Sequence, residues 1–235
     1  MLTDTIQFEP LAEDALLLRF GERIDGAINA RVHTALDILQ RQLPQLECVP
    51  AYASVLLRFD PWAWTSASST AHQALELAVR VVLGTGATSR RASREQEIPV
   101  CYGGACGPDL AEVAQHLDLP IDGVIARHVA ADYHVAMIGF APGFPYLLGL
   151  DPTLAMPRRR DPRQRVPAGS VAIGGAQTGI YPESLPGGWQ LIGRTPLRLF
   201  DVGATPPSLL AAGDRVRLRA IDEDEFHHLA AAPQR

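Results

Sequence analysis

Hydrophobic and polar positions in the first third of the chain follow two alternating periods. The apolar run over residues 15–20 is short and continuous, and it predicts a β-strand. Apolar residues then recur every three or four positions over 28–39, which predicts the buried face of an amphipathic helix. A second strand over 53–59 and a second helix over 75–82 repeat this order. Strand–helix–strand–helix is typical of a small α/β domain.

A polar stretch, residues 87–96, separates this pattern from a different one and predicts a linker between domains at 1–86 and 97–235. After it, a strand over 97–102 and two short helices precede short β-prone runs that glycine and proline interrupt. These runs cover residues 134–140, 170–173, 189–192, 197–200 and 215–221. Many short strands with such turns favour a closed barrel. The expected fold class is therefore α+β, a small α/β N-terminal domain followed by a β-barrel domain.

Composition narrows the classes of function. The chain has 235 residues and a net charge of -5, which gives no electrostatic reason to expect nucleic acid or an anionic membrane as a partner. It contains no apolar run long enough to cross a bilayer, and its first residues lack the features of a signal peptide, so a cytoplasmic location is expected. Three cysteines make a poor disulfide framework and complete no zinc-ligand cluster, so no metal is expected.

The common nucleotide-binding and hydrolase motifs are missing from the sequence. It has no glycine-rich phosphate loop ending in Lys and Ser or Thr, no nucleophile elbow and no zinc-protease helix motif. If ATP takes part in the reaction, another chain is therefore expected to supply most of its binding site.

Residues 139–146 contain three aromatic residues interspersed with two glycines and two prolines. Glycine and proline fix bends in the backbone, so the rings are expected to stay close together. Phe140 and Phe144 are candidates for an apolar pocket wall around a substrate. A rigid turn at the edge of the core explains the segment equally well.

Five arginines lie within residues 158–165 of a chain that is acidic overall. The guanidinium group is planar and suits carboxylates and phosphates, which makes Arg159 and Arg163 candidates for substrate binding. The alternative is a solvated loop with a few surface ion pairs. Because the patch leads directly into a glycine-rich strand, binding is the preferred interpretation.

Polar side chains also stand between the glycines of residues 174–194. Gln177, Thr178, Tyr181 and Arg194 are candidates for hydrogen-bonding groups held at the mouth of a barrel. His128 is a candidate general acid or base, since the ordinary pKa of histidine lies near neutrality. For His128 the favoured alternative is a half-buried side chain bonded to a backbone carbonyl.

Four segments together resemble the family of bacterial 5-oxoprolinase B subunits, which also includes the sporulation-kinase inhibitor and proteins described as allophanate hydrolase subunit 1. The matching stretches are residues 133–147, 166–173, 177–182 and 186–189 with 192–196. The resemblance implies a cyclophilin-like β-barrel as the second domain. It also implies cleavage of 5-oxo-L-proline to L-glutamate, coupled to ATP hydrolysis, in a complex with the A and C subunits of 5-oxoprolinase.

The resemblance turns the candidate residues into a hypothesis about roles. Arg159, Arg163 and Arg194 would hold a phosphate or the substrate carboxylate, because phosphorylation of a lactam oxygen needs cationic stabilisation. Gln177, Thr178 and Tyr181 would orient the lactam, and His128 would carry a proton.

Two other functions remain open. One is a binding module that inhibits a histidine kinase by docking. The other is half of a carboxyltransferase unit of the urea carboxylase or allophanate type. ATP-dependent glutamate release with the A and C subunits would favour the hydrolase, whereas urea or allophanate turnover with a biotin-bearing partner would favour the carboxyltransferase.

Overall fold

The structure is a computed structural model that describes residues 6–66, 68–85 and 93–233. The chain divides into two compact units, Met1–Ala92 and Ser93–Arg235. Most of the predicted linker, residues 87–92, lies outside the described residues. The last two residues of that prediction, 95 and 96, already form the start of a strand of the second unit.

The described residues of the first unit form a four-stranded antiparallel sheet with three helices. Its elements are β1 (Gln7–Ala12), β2 (Ala15–Arg19), α1 (Gly26–Gln42), β3 (Glu47–Pro50), β4 (Ser54–Arg58), α2 (Pro61–Trp64) and α3 (Ala71–Gly84). The sheet order is β1-β2-β4-β3. Leu16 and Leu18 of β2 pack into a core that Val32 and Leu39 of α1 share, and burial of each such side chain contributes about 1.5–3 kcal/mol. Strands β1 and β3 were not predicted, because both lie at the sheet edges and most of their side chains are only partly buried or exposed.

The second unit contains nine strands and three helices among its described residues. They are β5 (Glu95–Tyr102), α4 (Leu110–His116), α5 (Ile121–Ala130), β6 (Tyr133–Ile138), β7 (Pro145–Leu148), β8 (Arg163–Val166), β9 (Ser170–Gly174), β10 (Gln177–Ile180), β11 (Leu185–Gly187), β12 (Gln190–Arg194), β13 (Arg215–Ile221) and α6 (Glu223–Ala231). Seven strands close into a barrel in the order β10-β7-β6-β13-β5-β12-β9. Strands β8 and β11 form a separate two-stranded ribbon. The barrel with its helices confirms the predicted α+β class.

One pair of barrel strands is parallel. Strand β13 pairs with β5 in register from Arg215 opposite Glu95 to Ile221 opposite Cys101. An ion pair between Arg94 and Asp214, 120 residues apart, lies just before this pair of strands. Closure of the barrel therefore joins its first strand to its last.

The barrel wall separates two cores. Alternate residues of a strand face opposite sides of a sheet. On β9, Val171 and Ile173 join the large core inside the barrel, whereas Ala172 packs with an aromatic cluster on the outer side. Val166 and Leu185 of the β8–β11 ribbon also contact that outer cluster. The ribbon thus covers part of the outer face of the wall.

Two strand predictions need correction. Residues 197–200 form no strand, and only Phe200 makes an isolated bridge, to Ser208. The chain turns there, because the Thr195 hydroxyl accepts the backbone N–H of Leu197 and Pro196 has no N–H to donate. The strand predicted over 134–140 ends at residue 138.

No helix in the described ranges is long and apolar enough to cross a membrane. All three cysteines are free. Burial raises the pKa of the Cys48 thiol to about 11, and burial together with the neighbouring Cys106 raises that of Cys101 to about 12.

Candidate functional site

Four aromatic rings form the centre of the outer cluster. Phe144, which is 2% exposed, makes an edge-to-face contact with Tyr181 at 5.2 Å and another with Trp189 at 5.8 Å between ring centroids. Tyr146 lies 4.9 Å from Phe144 and 5.8 Å from Trp189. Such pairs stabilise a core beyond the area that they bury. The cluster is a rigid aromatic wall with two phenol groups in it.

Phe140 stands at the edge of this wall in a strained turn. Its φ of 70° lies in the left-handed region, which costs about 1–3 kcal/mol for a residue other than glycine. The turn is held by hydrogen bonds from Phe144 N–H to the Ala141 carbonyl and from Gly139 N–H to the Phe144 carbonyl. The Phe140 ring is 61% exposed and contacts Phe144 edge-to-face at 5.4 Å. A strained backbone therefore presents an aromatic ring to solvent beside the cluster.

Asp109 anchors residues 158–165, hereafter the arginine loop, to the barrel. Its buried carboxylate accepts a two-pronged hydrogen bond from Arg163, at 2.9 and 2.7 Å, and a longer one from Arg159 at 3.3 Å. It also accepts the backbone N–H of Leu191 in β12 at 2.7 Å. The two arginines predicted to bind substrate thus form internal ion pairs with a carboxylate that no sequence motif marks as part of a site.

The position of Asp109 in the sequence explains why it was missed. It directly precedes helix α4, where an aspartate usually accepts a helix N–H as an N-cap. Here the carboxylate makes no capping hydrogen bond, because Arg159, Arg163 and Leu191 occupy it. Nothing in the local sequence distinguishes these two uses.

Arg158 differs from its neighbours in the loop. Its guanidinium group lies over the Trp189 ring at 5.8 Å from the centroid. No hydrogen bond or ion pair joins it to any of the described residues. Burial raises the pKa of both Tyr146 and Tyr181, and the charge of Arg158 acts against that rise at both hydroxyls. An exposed cation therefore lies next to the aromatic wall.

Strand β10 divides the predicted amides and hydroxyls between the two faces of the wall. Thr178 is fully buried and bonds into the barrel interior. By strand alternation Gln177 and Gly179 face outward, and Gly179 lies against the Phe144 ring. Tyr181, just beyond the strand, completes the outer row, and the backbone of Trp189 acts against the rise that burial causes in the pKa of its hydroxyl. The Gln177 side chain has no hydrogen-bond partner within the described ranges.

His128 lies inside the barrel and is fully buried. The Thr178 hydroxyl donates to the Ala172 carbonyl at 3.0 Å, so it accepts from Nε2 of His128 at 3.1 Å. The Tyr102 hydroxyl then donates to Nδ1 at 2.8 Å. The Tyr133 hydroxyl donates to the backbone carbonyl of His128. Burial lowers the pKa of His128 to about 3, which keeps the ring neutral.

Arg194 is separate from both groups. It ends β12 three residues beyond Leu191, which corresponds to about 10 Å along a strand. Its Nε donates to the Ala168 carbonyl at 2.8 Å, and its guanidinium group lies over the Phe226 ring.

The predicted residues therefore fall into three groups. Tyr181, Gln177, Phe140 and Phe144 share the outer face, with Arg159 and Arg163 fixed beside it on Asp109. His128 and Thr178 share the interior, and Arg194 stands alone. No group of three or more His, Cys, Asp or Glu side chains suited to a metal ion occurs among the described residues.

Comparison with known proteins places this geometry in a family. Residues 6–210 match the family described as carboxyltransferase domain, subdomain C and D. The chain is 43% identical to the 5-oxoprolinase B subunit of Bacillus subtilis over 233 residues, which covers 96% of this chain and 97% of that protein. It is 58% identical over 125 residues to the protein of the same name from Escherichia coli O157:H7, covering 53% of this chain and 57% of that one.

Solved structures show the same fold. The conserved uncharacterized protein PH0987 from Pyrococcus horikoshii is 42% identical and has a TM-score of 0.56, with 94% of this chain and 100% of that chain covered. The protein TTHA0988 is 39% identical with a TM-score of 0.76 over 88% of this chain, and this chain spans 40% of its length. Kluyveromyces lactis urea carboxylase is 21% identical with a TM-score of 0.72, covering 97% of this chain and 23% of that one, which is a likeness of fold alone.

Proposed function

Because the chain belongs to the family of 5-oxoprolinase B subunits, within the carboxyltransferase subdomain C and D proteins, we propose that it is the B subunit of an ATP-dependent 5-oxoprolinase. The complex would cleave 5-oxo-L-proline to L-glutamate together with the A and C subunits. The observation that carries this proposal is the 43% identity to the Bacillus subtilis protein over 97% of its length. The outer aromatic face of the barrel supports it, because it offers a small amide-bearing anion a place to bind.

The chemistry requires activation of a poor electrophile. A lactam carbonyl resists water, and transfer of the γ-phosphoryl group of ATP to its oxygen makes the ring carbon reactive. Water then adds to that carbon and the C–N bond breaks. The acyl phosphate that remains is hydrolysed by a second water to glutamate and phosphate. Charge grows on oxygen in these steps, so fixed donors near it would accelerate them.

The outer face contains groups for binding and orientation. Gln177 has an unused amide that would hydrogen-bond the lactam, and the Tyr181 hydroxyl lies on the same face. Phe140 and Phe144 would form the apolar side of the site. Arg159 and Arg163 would act by holding the loop through Asp109 rather than by touching the ligand.

The other predicted roles are harder to combine with this face. His128 would carry a proton only if the barrel core opened, because its ring is sealed inside and bonded at both nitrogens. Arg194 would contribute to a different contact, since about 10 Å of strand separates it from the arginine loop. Both roles stay predictions.

ATP would bind mainly to a neighbouring protein of the complex. The sequence carries no glycine-rich phosphate loop, and three of the five arginines in the loop, at 158, 160 and 165, carry no ion pair with a described carboxylate. Of these three, Arg165, an exposed residue of β8, would meet a phosphoryl group that another chain delivers.

The test is reconstitution. The full chain, purified with the A and C subunits, should release glutamate from 5-oxo-L-proline only when ATP is present, and omission of this chain should abolish release. Gln177→Leu should lower kcat/KM by about two- to tenfold, because one hydrogen bond to the reacting amide is lost. Gln164→Leu, at an exposed amide of strand β8, is the matched control and should keep full activity. Full turnover without this chain would refute the proposal.

The family description, carboxyltransferase domain, favours one second candidate, half of a carboxyltransferase unit of the urea carboxylase or allophanate type. In that case the outer face would accept a carboxylated ring on a carrier protein. Carboxylation of urea in the presence of a biotin-bearing partner, with no glutamate release from 5-oxo-L-proline, would favour it over the hydrolase.

A further inference from the structure

The arginine loop contains two kinds of arginine. Arg163 and Arg159 share the Asp109 carboxylate, so their charge is matched within the chain. Arg158 lies beside them in sequence but has no hydrogen-bond or ion-pair partner among the described residues. Its charge is therefore the one that remains available at the aromatic wall.

The backbone around Arg158 is fixed on both sides. The carbonyl of Pro157 accepts from the side-chain amide of Gln190 at 3.0 Å, and the N–H of Arg159 donates to the Gly188 carbonyl at 2.7 Å. Both partners flank Trp189, the ring over which the Arg158 guanidinium lies. Arg158 is an exposed side chain on a fixed backbone, so ligand binding would order the side chain but not the backbone beneath it.

Gln177 is close to the same place. Met156, two residues before Arg158, forms a pair of backbone hydrogen bonds with Gly175, two residues before Gln177. Gly174 opposes Gln177 across the β9–β10 hairpin, and its α-carbon faces the Trp189 indole. The contacts between Met156 and Gly175, between Gly174 and Gln177, and between Gly174 and Trp189 therefore bring three groups together. These groups are the Arg158 cation, the Gln177 amide and the aromatic wall.

The chemistry of these groups matches a small planar ring that carries one carboxylate and one amide. A guanidinium group binds a carboxylate through two parallel hydrogen bonds. A carboxamide both donates to and accepts from a lactam. A phosphate dianion would call for several cations or backbone N–H groups at one point, whereas Arg158 is the one arginine of the loop whose guanidinium group lies over the Trp189 ring.

We propose that Arg158 binds the carboxylate of 5-oxo-L-proline and makes the site selective for lactams that carry one, while Gln177 binds the lactam amide. The inference rests on the proposed function for the identity of the ligand. The selectivity for a carboxylate rests on Arg158 and its surroundings alone.

A binding experiment tests the selectivity. Trp189 is one of three tryptophans, so the full chain would carry Trp62→Phe and Trp64→Phe to leave its fluorescence as the probe. 5-Oxo-L-proline should change that fluorescence saturably. 2-Pyrrolidinone, the same ring without the carboxylate, should bind at least about tenfold more weakly. Arg158→Ala should bring the two ligands to equal affinity, whereas Arg160→Ala, at an exposed neighbour, should keep the difference.

Three outcomes would overturn the inference. The first is an Arg158→Ala chain that keeps the preference for the carboxylate. The second is inorganic phosphate competing as strongly as 5-oxo-L-proline, which would assign Arg158 to a phosphoryl group. The third is the absence of any saturable response to 5-oxo-L-proline.

Kinetics of the assembled complex separate this inference from the proposed function. Arg158→Ala should raise KM for 5-oxo-L-proline at least about tenfold with a smaller change in kcat, because the carboxylate is remote from the reacting carbonyl. An active complex with an unchanged KM would remove the role of Arg158 and leave the function standing. A complex without 5-oxoprolinase activity, but with a carboxylate-selective Trp189 response, would remove the function and leave the site.

Discussion

The two faces of the barrel wall at strand β10 use polar residues in opposite ways. On the inner face, Thr178 and His128 complete a network in which both ring nitrogens and the hydroxyls have partners. On the outer face, Gln177 and Arg158 border an aromatic wall with donors that the described residues leave unused. A closed network stabilises a dry core, whereas open donors beside rings are what a ligand needs. Polar residue type alone therefore does not mark a site.

Removal of Asp109 should have the largest effect on the outer face. Asp109→Ala leaves two guanidinium groups and the Leu191 N–H without their acceptor, and breaking a buried ion pair costs about 3–5 kcal/mol. The free energy of unfolding from urea titration should fall by that amount, and turnover in the complex should fall with it. Glu95→Ala, which removes an exposed partner of Arg217, is the control and should cost under about 1 kcal/mol. Equal effects of the two would show that Asp109 is no anchor.

Alanine substitutions at Phe144 and Phe140 should separate an effect on the free energy of unfolding from an effect on substrate binding. Phe144→Ala empties the centre of four ring contacts and should lower the free energy of unfolding by about 3–5 kcal/mol. Phe140→Ala removes an exposed ring and should change it by about 0.5 kcal/mol or less, yet raise KM in the assembled complex. Denaturant titration and steady-state kinetics measure the two effects. A KM unaffected by Phe140→Ala would limit the site to the buried rings.

Neighbouring residues of β10 provide the sharpest contrast between the faces. Thr178→Val removes a hydroxyl that serves both the Ala172 carbonyl and His128, and it should cost about 1–3 kcal/mol of stability. Gln177→Leu should cost about 0.5 kcal/mol or less while it lowers turnover. Parallel measurements of melting and activity distinguish them. A stable Thr178→Val chain with lost turnover would instead move the function to the inner face.

The smallest expected effect is a gradual loss of stability with falling pH, and the inner network around His128 is its expected cause. The pKa of His128 is about 3 in the folded chain and 6.5 is its ordinary value, so below pH 6.5 the unfolded chain binds the extra proton. The free energy of unfolding should then fall as pH drops from about 6.5 to about 3, by at most about 1.4 kcal/mol per pH unit. His128→Gln should lose this slope and His116→Gln, at an exposed position, should keep it. An unchanged slope in His128→Gln would mean that other groups cause it.

Much of the fold was predictable because buried helices and strands show characteristic patterns of apolar residues in the sequence. Helix α1 buries one continuous face, which its apolar spacing predicted, and the continuous apolar run of residues 15–20 predicted strand β2. The barrel was predictable as a class from its many short strands and turns. Edge strand β1 was not, since most of its side chains are exposed or only partly buried and it includes Pro10.

The candidate site was predictable in composition but not in arrangement. The aromatic and arginine segments were recognised, yet which of the arginines are tied up in an ion pair depends on Asp109, about fifty residues earlier in the chain. Whether Gln177 or Thr178 faces outward depends on the register of β10, and a shift of one residue would exchange them. Contacts between residues distant in the chain decide both the pairing of the arginines and the register of β10. The local sequence does not predict such contacts.

The parallel contact between β5 and β13 has a consequence for synthesis of the protein. A ribosome adds about 5–20 residues per second, so β5 waits on the order of ten seconds before its partner emerges, 120 residues later. For that interval at least one edge of β5 is open to other nascent chains, because its other neighbour, β12, also emerges late. Holding chaperones should therefore bind the growing chain mainly after residue 102, and release it once residue 221 has left the exit tunnel.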